Sequence, residues 1–208
     1  QAKYWRVSGD ILYRQGEYIQ AESTLKQAHG LFLEIKDHLG AAQCSQRLGD
    51  TLLIQDNHSE ATTVLTDARS QFVECGDRVG AAKCSQSLGE VLRMEGNYFK
   101  ATAILTDAGA QFIGIGNRLG AAQCSQSLGD ILHHQSNYSR AAAILRDARA
   151  VFIEIGNRVG DAECSASLGD ILINQGNSTE AENLLTHARD QFIDIGIDRG
   201  TVYCSELL

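Results

Sequence analysis

Apolar residues along this chain fall three and four positions apart, the spacing of one helical face. Ala81, Cys84, Leu88 and Leu92 form one such stripe, and Ala101, Leu105, Ala108, Phe112 and Ile115 form a second. The two stripes predict a helix A over about 78–95 and a helix B over about 98–115. Between them stands Glu95-Gly96-Asn97, and after helix B comes Gly116-Asn117. Glycine takes the left-handed conformation that ends a helix, and a neighbouring Asn or Asp accepts the first free amides of the next one. Links this short force the two helices to run antiparallel.

The whole pattern recurs every forty residues. Residues 118–157 match residues 78–117 without a gap at about 25 of 40 positions, and the register continues in both directions. Self-similarity at a fixed period means one supersecondary unit stacked on copies of itself. The frame predicts a single all-α repeat domain, an α-solenoid of about five antiparallel helix pairs at 1–37, 38–77, 78–117, 118–157 and 158–197, with part of a sixth helix A at 198–208. Residue 1 enters inside the period and is not Met, so the chain reads as a segment of a longer protein. A terminal repeat needs a polar outer face, which Thr201, Val202, Tyr203, Leu207 and Leu208 do not provide. The expectation is further repeats in the parent protein, or end-to-end association.

Columns that repeat within the chain predict how the helices meet. Gly49, Gly89, Gly129 and Gly169 lie inside helix A, where glycine costs about 1 kcal/mol relative to alanine. Close approach of helix B is the expected reason, with Ala61, Ala101, Ala141 and Ala181 as the matching small residues. The Leu65, Leu105, Leu145, Leu185 and Phe72, Phe112, Phe152, Phe192 columns are the expected filling between units, and Gly40, Gly80, Gly120 and Gly160 are expected to let the preceding helix B pass. Cys44, Cys84, Cys124, Cys164 and Cys204 form a packing column. Equivalent atoms of stacked helices sit about 8–10 Å apart, whereas a disulfide needs Cα atoms within about 7 Å, so these thiols are expected to be reduced. The sequons at Asn57, Asn137 and Asn177 fall in a recurring turn and are read as turn residues.

These columns carry a family resemblance. Leu-Gly in helix A, an aromatic after the A-to-B turn (Tyr18, Tyr98, Tyr138), then Ala, Leu and Ala in helix B resemble the tetratricopeptide repeat. Trp5-x-x-x-Gly9 recovers part of the Trp-x-x-Leu-Gly signature, with Ser8 in place of the Leu. The period is forty rather than about 34, Ser45, Ser85, Ser125 and Ser165 stand where the family has Trp, and Gly-Asn or Gly-Asp replaces the inter-repeat Pro. Those departures are similar to a longer-helix subclass found in adaptors of spindle orientation, and the nearly identical copies resemble the sensor arrays of fungal NOD-like receptor ATPases. The resemblance implies a right-handed superhelix whose A helices line the concave side.

Composition narrows the partner. The 208 residues include no proline and carry a net charge of −8, which leaves no electrostatic footprint for nucleic acid or an anionic membrane surface. No run of 18 apolar residues is present, and residues 1–10 lack the layout of a secretory signal, so a cytoplasmic protein is expected. Opposite the core stripe, helix A presents a polar face on which Asp10, Asp50, Glu90, Asp130 and Asp170 recur immediately after the glycine. A ladder of carboxylates accepts hydrogen bonds and favours cationic or amide-rich ligands. The candidate peptide-binding residues are Gln46, Asp50, Gln86, Glu90, Arg93, Gln126, Asp130, His133 and Asp170.

Catalytic readings are weak. Cys-Ser-Gln-Ser at 84–87 and 124–127 looks like a monothiol redox motif, yet it lies well inside helix A. His133 and His134 are adjacent in a helix and diverge by about 100°, which suits no single metal. No zinc-protease, phosphate-loop or nucleophile-elbow string occurs. The sequence predicts a non-catalytic interaction scaffold without cofactor or metal, binding a protein or peptide segment in an acidic groove. The alternative is a self-associating sensor arm of a larger signalling ATPase.

Overall fold

The structure, a computed structural model, describes residues 1–208. It is all-helical: α1 (Ala2–Arg14), α2 (Tyr18–Glu34), α3 (His38–Ile54), α4 (His58–Glu74), α5 (Arg78–Met94), α6 (Tyr98–Gly114), α7 (Arg118–His134), α8 (Tyr138–Glu154), α9 (Arg158–Asn174), α10 (Ser178–Ile195) and α11 (Asp198–Leu207). The chain forms two compact units, Gln1–Ile115 with α1–α6 and Gly116–Leu208 with α7–α11. Within each, every helix packs against the next, and A helices of successive repeats also touch.

Backbone chemistry ends each helix where the punctuation predicts. At the α5–α6 link Gly96 has φ of 75°, and the amides of Gly96 and Asn97 donate to the carbonyls of Arg93 and Leu92 at 3.0 and 2.8 Å. Lys36, Asp56 and Ser136 hold the same left-handed position without being glycine. Asp37, Asp77, Asn117 and Asn157 cap the A helices, their side chains accepting from the amides of Gly40, Gly80, Gly120 and Gly160 at 2.8–2.9 Å. Asn57, Asn137 and Asn177 stand at the N-caps of α4, α8 and α10, as the turn reading expects.

Two glycine columns interlock with two columns of large residues. A Cβ placed on Gly49 or Gly89 would lie 2.4 or 2.5 Å from Cγ of Leu65 or Leu105. The residue that needs the space is therefore this leucine, not the alanine expected from the sequence; Ala61 and Ala101 are buried beside it. The second column works between repeats: Phe32 lies over Gly40, Phe72 over Gly80, Phe152 over Gly160 and Phe192 over Gly200, each ring 2.4–2.6 Å from where a Cβ would stand. Burying each ring removes about 1.5–3 kcal/mol worth of apolar surface from water, and the glycine is what lets the ring reach that position. The repeated cysteines are buried, and all six cysteines are free thiols.

Outside these contacts the glycines differ in kind. Gly30 lies in the middle of α2 with nothing within 4 Å of its would-be Cβ, and Ser70, Ala110 and Ala150 occupy its repeat position. Gly30→Ala is expected to raise stability by about 1 kcal/mol, read as a higher urea midpoint with an unchanged slope; no gain would mean that local helix propensity does not limit α2. At the two extremes of the chain, Val202 of α11, the final residue Leu208, and Val7 and Ile11 of α1 are exposed. Val91, Ile131 and Ile171, at the repeat position of Ile11, are fully buried.

Candidate functional site

The nine predicted site residues all lie on the A helices and all are half-buried. Their placement follows from the repeat: the glycine of helix A faces the leucine of helix B, and the next residue, the carboxylate, emerges beside the neighbouring A helix. In the first unit the Asp10 carboxylate accepts from Arg47 Nε at 2.8 Å and from Arg6 Nη1 at 3.3 Å. Asp50 accepts from Ser87 Oγ at 2.6 Å, Gln46 Nε2 at 2.8 Å and Arg47 Nη1 at 3.4 Å. Arg93 Nε donates to Glu90 at 2.8 Å. In the second unit Ser167 donates to Asp130 at 2.9 Å, Gln126 to Glu163 at 3.0 Å, and Tyr203 to Asp170 at 3.0 Å, with His133 Nε2 3.7 Å from the same Asp170 oxygen.

The carboxylate ladder therefore has a structural occupation that the sequence reading did not assign. Asp10–Arg47, Asp50–Ser87 and Asp130–Ser167 each join residues 37 apart, tying one A helix to the next. Ser87 and Ser167 repeat at the forty-residue period, and that column was the available signal. Asp50 shows the cost. Its side chain is only 15% exposed, and burial pushes its carboxyl above the usual range against the opposing effects of Ser87, Arg47 and Gln46.

The polar face is also not uniformly acidic. In the first unit Arg6, Arg47, Lys83 and Arg93 are interleaved with Asp10, Asp50 and Glu90, and the Arg47 guanidinium lies over the Tyr13 ring at 4.7 Å. An open depression of about 250 Å³ is lined there by Arg6, Asp10, Gln46, Arg47 and Lys83. In the second unit Asp130, Glu163 and Asp170 share the face with His133, and no Lys or Arg stands among them. A net negative groove is thus a property of the second unit's face; the first is of mixed charge because Arg47 takes the repeat position of a serine, Arg6 that of a glutamine and Arg93 that of a histidine.

Charged side chains of the B helices are also engaged. Glu154 pairs with Arg118, and Arg149 Nε donates to Asp161 at 2.7 Å. Asp161 is a buried carboxylate that also accepts from Gln191 at 2.6 Å and lies 3.3 Å from His187 Nε2, joining α8, α9 and α10. The thiols of the Cys-Ser-Gln-Ser strings lie inside the core, and burial pushes Cys84 up to about 12, far from the thiolate form that redox chemistry needs. No helix is long and apolar enough to cross a membrane.

The family profile of the tetratricopeptide repeat matches residues 1–72. Among solved structures the chain is similar to the Rap conjugation gene regulator of plasmid pLS20, solved in complex with the Phr* peptide, with a TM-score of 0.87 and 17% identity over 98% of this chain and 56% of that one. It is similar to a signal-transduction ATPase with a tetratricopeptide repeat sensor from Pyrococcus horikoshii, with a TM-score of 0.76 and 15% identity over 97% of this chain and 31% of that one. Nearly identical repeats of a kinesin light chain-like protein from Podospora anserina match with a TM-score of 0.66 and 12% identity over 93% of this chain and 95% of that one. At these identities the likeness is one of fold, and the chain spans about half of the Rap regulator and a third of the ATPase. No curated protein matches the sequence.

Proposed function

We propose that this chain is a tetratricopeptide-type repeat protein acting as a non-catalytic interaction scaffold whose A-helix faces hold an extended or helical peptide segment. The observation that carries this reading is the amide-plus-carboxylate pair that recurs on the A helices, at Gln46 with Asp50, Gln86 with Glu90, and Gln126 with Asp130. A glutamine both donates and accepts and so reads peptide backbone, while the carboxylate accepts only. A linear ligand laid across α3 and α5 meets the same pair once per repeat; in the second unit α7 keeps the pair and α9 has Ala166 beside Asp170. The Rap regulator's complex with the Phr* peptide supports a peptide as the class of ligand. Arg93, His133 and Asp170 extend the row.

Ligand preference follows from the charges. In the first unit the arginines beside Asp10, Asp50 and Glu90 favour an amide-rich segment. In the second, Asp130 and Asp170 favour a basic one, with rim attraction that weakens as salt rises. Asp130→Asn with Asp170→Asn keeps the side-chain shape and one acceptor oxygen at each position while removing two charges. Lys- or Arg-containing peptides found on a peptide array are expected to bind this double variant at least tenfold more weakly by fluorescence anisotropy, about 1.4 kcal/mol, and to lose affinity with salt in the parent chain. Equal affinity for parent and variant, after both are shown to be equally helical, refutes the assignment of this face.

A further inference from the structure

An open slot of about 280 Å³ lies between α2 and α4 above α3, on a different surface from the A-helix face, and is lined by His29, Ser45, Leu48, Val64, Asp67 and Gln71. What fills the equivalent space in other repeats identifies what it is shaped for. Forty residues on, His29 is replaced by Arg69, whose Nε donates at 2.8 Å to the hydroxyl of Ser85, the counterpart of Ser45. In the fourth repeat Arg149 holds the same position and donates to Asp161, which in turn accepts from Ser165, the next serine of that column. Twice, then, a guanidinium from helix B enters the space beside the serine of the following helix A.

The first repeat has the receptors without the guanidinium. Ser45 is only 8% exposed and its hydroxyl makes no hydrogen bond. Gln71 Oε1 is buried and has no donor. Asp67 supplies a carboxylate on the same wall. Lys26, the cation at the slot, is already held by Glu22 and Glu60 at 2.8 and 3.2 Å. Burial lowers the pKa of His29, so its ring is neutral at pH 7 and does not repel an incoming cation.

We propose that this slot receives an arginine side chain from a partner protein, its guanidinium standing where Arg69 places its own in the next repeat and donating to Ser45 and Gln71. A planar fork of five N–H donors can serve two acceptors at once and stay weakly hydrated against Leu48 and Val64. An ammonium is a strongly hydrated point charge and fits such walls less well.

The test is an NMR titration of the whole chain with N-acetylarginine methylamide, and with the lysine analogue as control. The arginine probe is expected to shift the Gln71 side-chain amide, the Ser45 amide and the His29 ring saturably, and the lysine probe to act at least tenfold more weakly. His29→Arg places the guanidinium from within, as Arg69 and Arg149 do, and is expected to raise the melting temperature and abolish the response. Ser45→Ala, which keeps the slot and removes one acceptor, is expected to weaken the probe severalfold and decides the matter if His29→Arg folds poorly. No saturable shift at these three residues overturns the proposal. So do an unchanged response in His29→Arg, no weakening in Ser45→Ala, and equal action of both probes spread over exposed carboxylates such as Asp107 and Asp147.

Discussion

Gly80→Ala lowers the stability of this protein by about 2 kcal/mol, although alanine is the better helix former by about 1 kcal/mol. The new methyl would stand 2.4 Å from Cδ1 and 2.6 Å from Cγ of Phe72. Cγ is the ring atom nearest the backbone, so no turn of the ring about its own axis clears it. Phe72 is buried in the core that spans α3, α4 and α5, and moving it means moving α4 away from α5. Because a repeat array is held together by nearest-neighbour contacts, this substitution acts on the contact between the second and third repeats. The expected readout is a lower urea midpoint, with a broader transition as the repeats uncouple. Phe72→Leu should recover part of the loss, so that the double variant is less destabilised than the sum of the two single changes. A rise in midpoint like that expected of Gly30→Ala, which adds the same methyl into open space, would show that Phe72 does not require the gap.

Asp161→Asn costs about 1–2 kcal/mol at neutral pH, and this cost is expected to fade in acid. Burial alone would push the Asp161 carboxyl up, but hydrogen bonds from Gln191, Arg149 and His187 outweigh it and hold the group below its ordinary value. The unfolded chain, with an ordinary carboxyl near 4, then takes up the proton first. The stabilisation is fully present above about pH 4 and is lost as pH falls through the depressed folded value. Urea midpoints at pH 7 and pH 3 check the sign: the gap between parent and Asn variant should narrow in acid. A gap of the same size at both pH values would mean that shape, not charge, joins α8, α9 and α10. Asp161→Ala should be milder than an unpaired buried charge predicts, because alanine stands at positions 41, 81 and 121 and Arg149 can then turn to Ser165 as Arg69 turns to Ser85.

The polar face was half legible. Residue type and spacing placed Gln46, Asp50, Gln86, Glu90, Gln126 and Asp130 on the A helices, since a period of 3.6 residues determines which side of a helix a position occupies. That Asp50 and Asp130 accept from Ser87 and Ser167 follows only from how far one A helix is shifted against the next. The arginine slot was hidden for a related reason. His29, Ser45 and Gln71 belong to three helices, and nothing local marks Ser45 as a hydroxyl without a partner.

By itself the sequence determined the helices, their ends, their pairing and the repeat, because each depends on offsets of three or four residues, on the dihedral freedom of a few link residues, and on a register that copies itself every forty positions. The tertiary structure decided what each repeated residue meets. The helix glycine faces a leucine rather than an alanine, the carboxylates tie A helix to A helix, and one repeat holds a histidine where others hold an arginine. Those outcomes depend on side-chain length and on a shift of a few ångströms between stacked helices, quantities that no periodicity encodes.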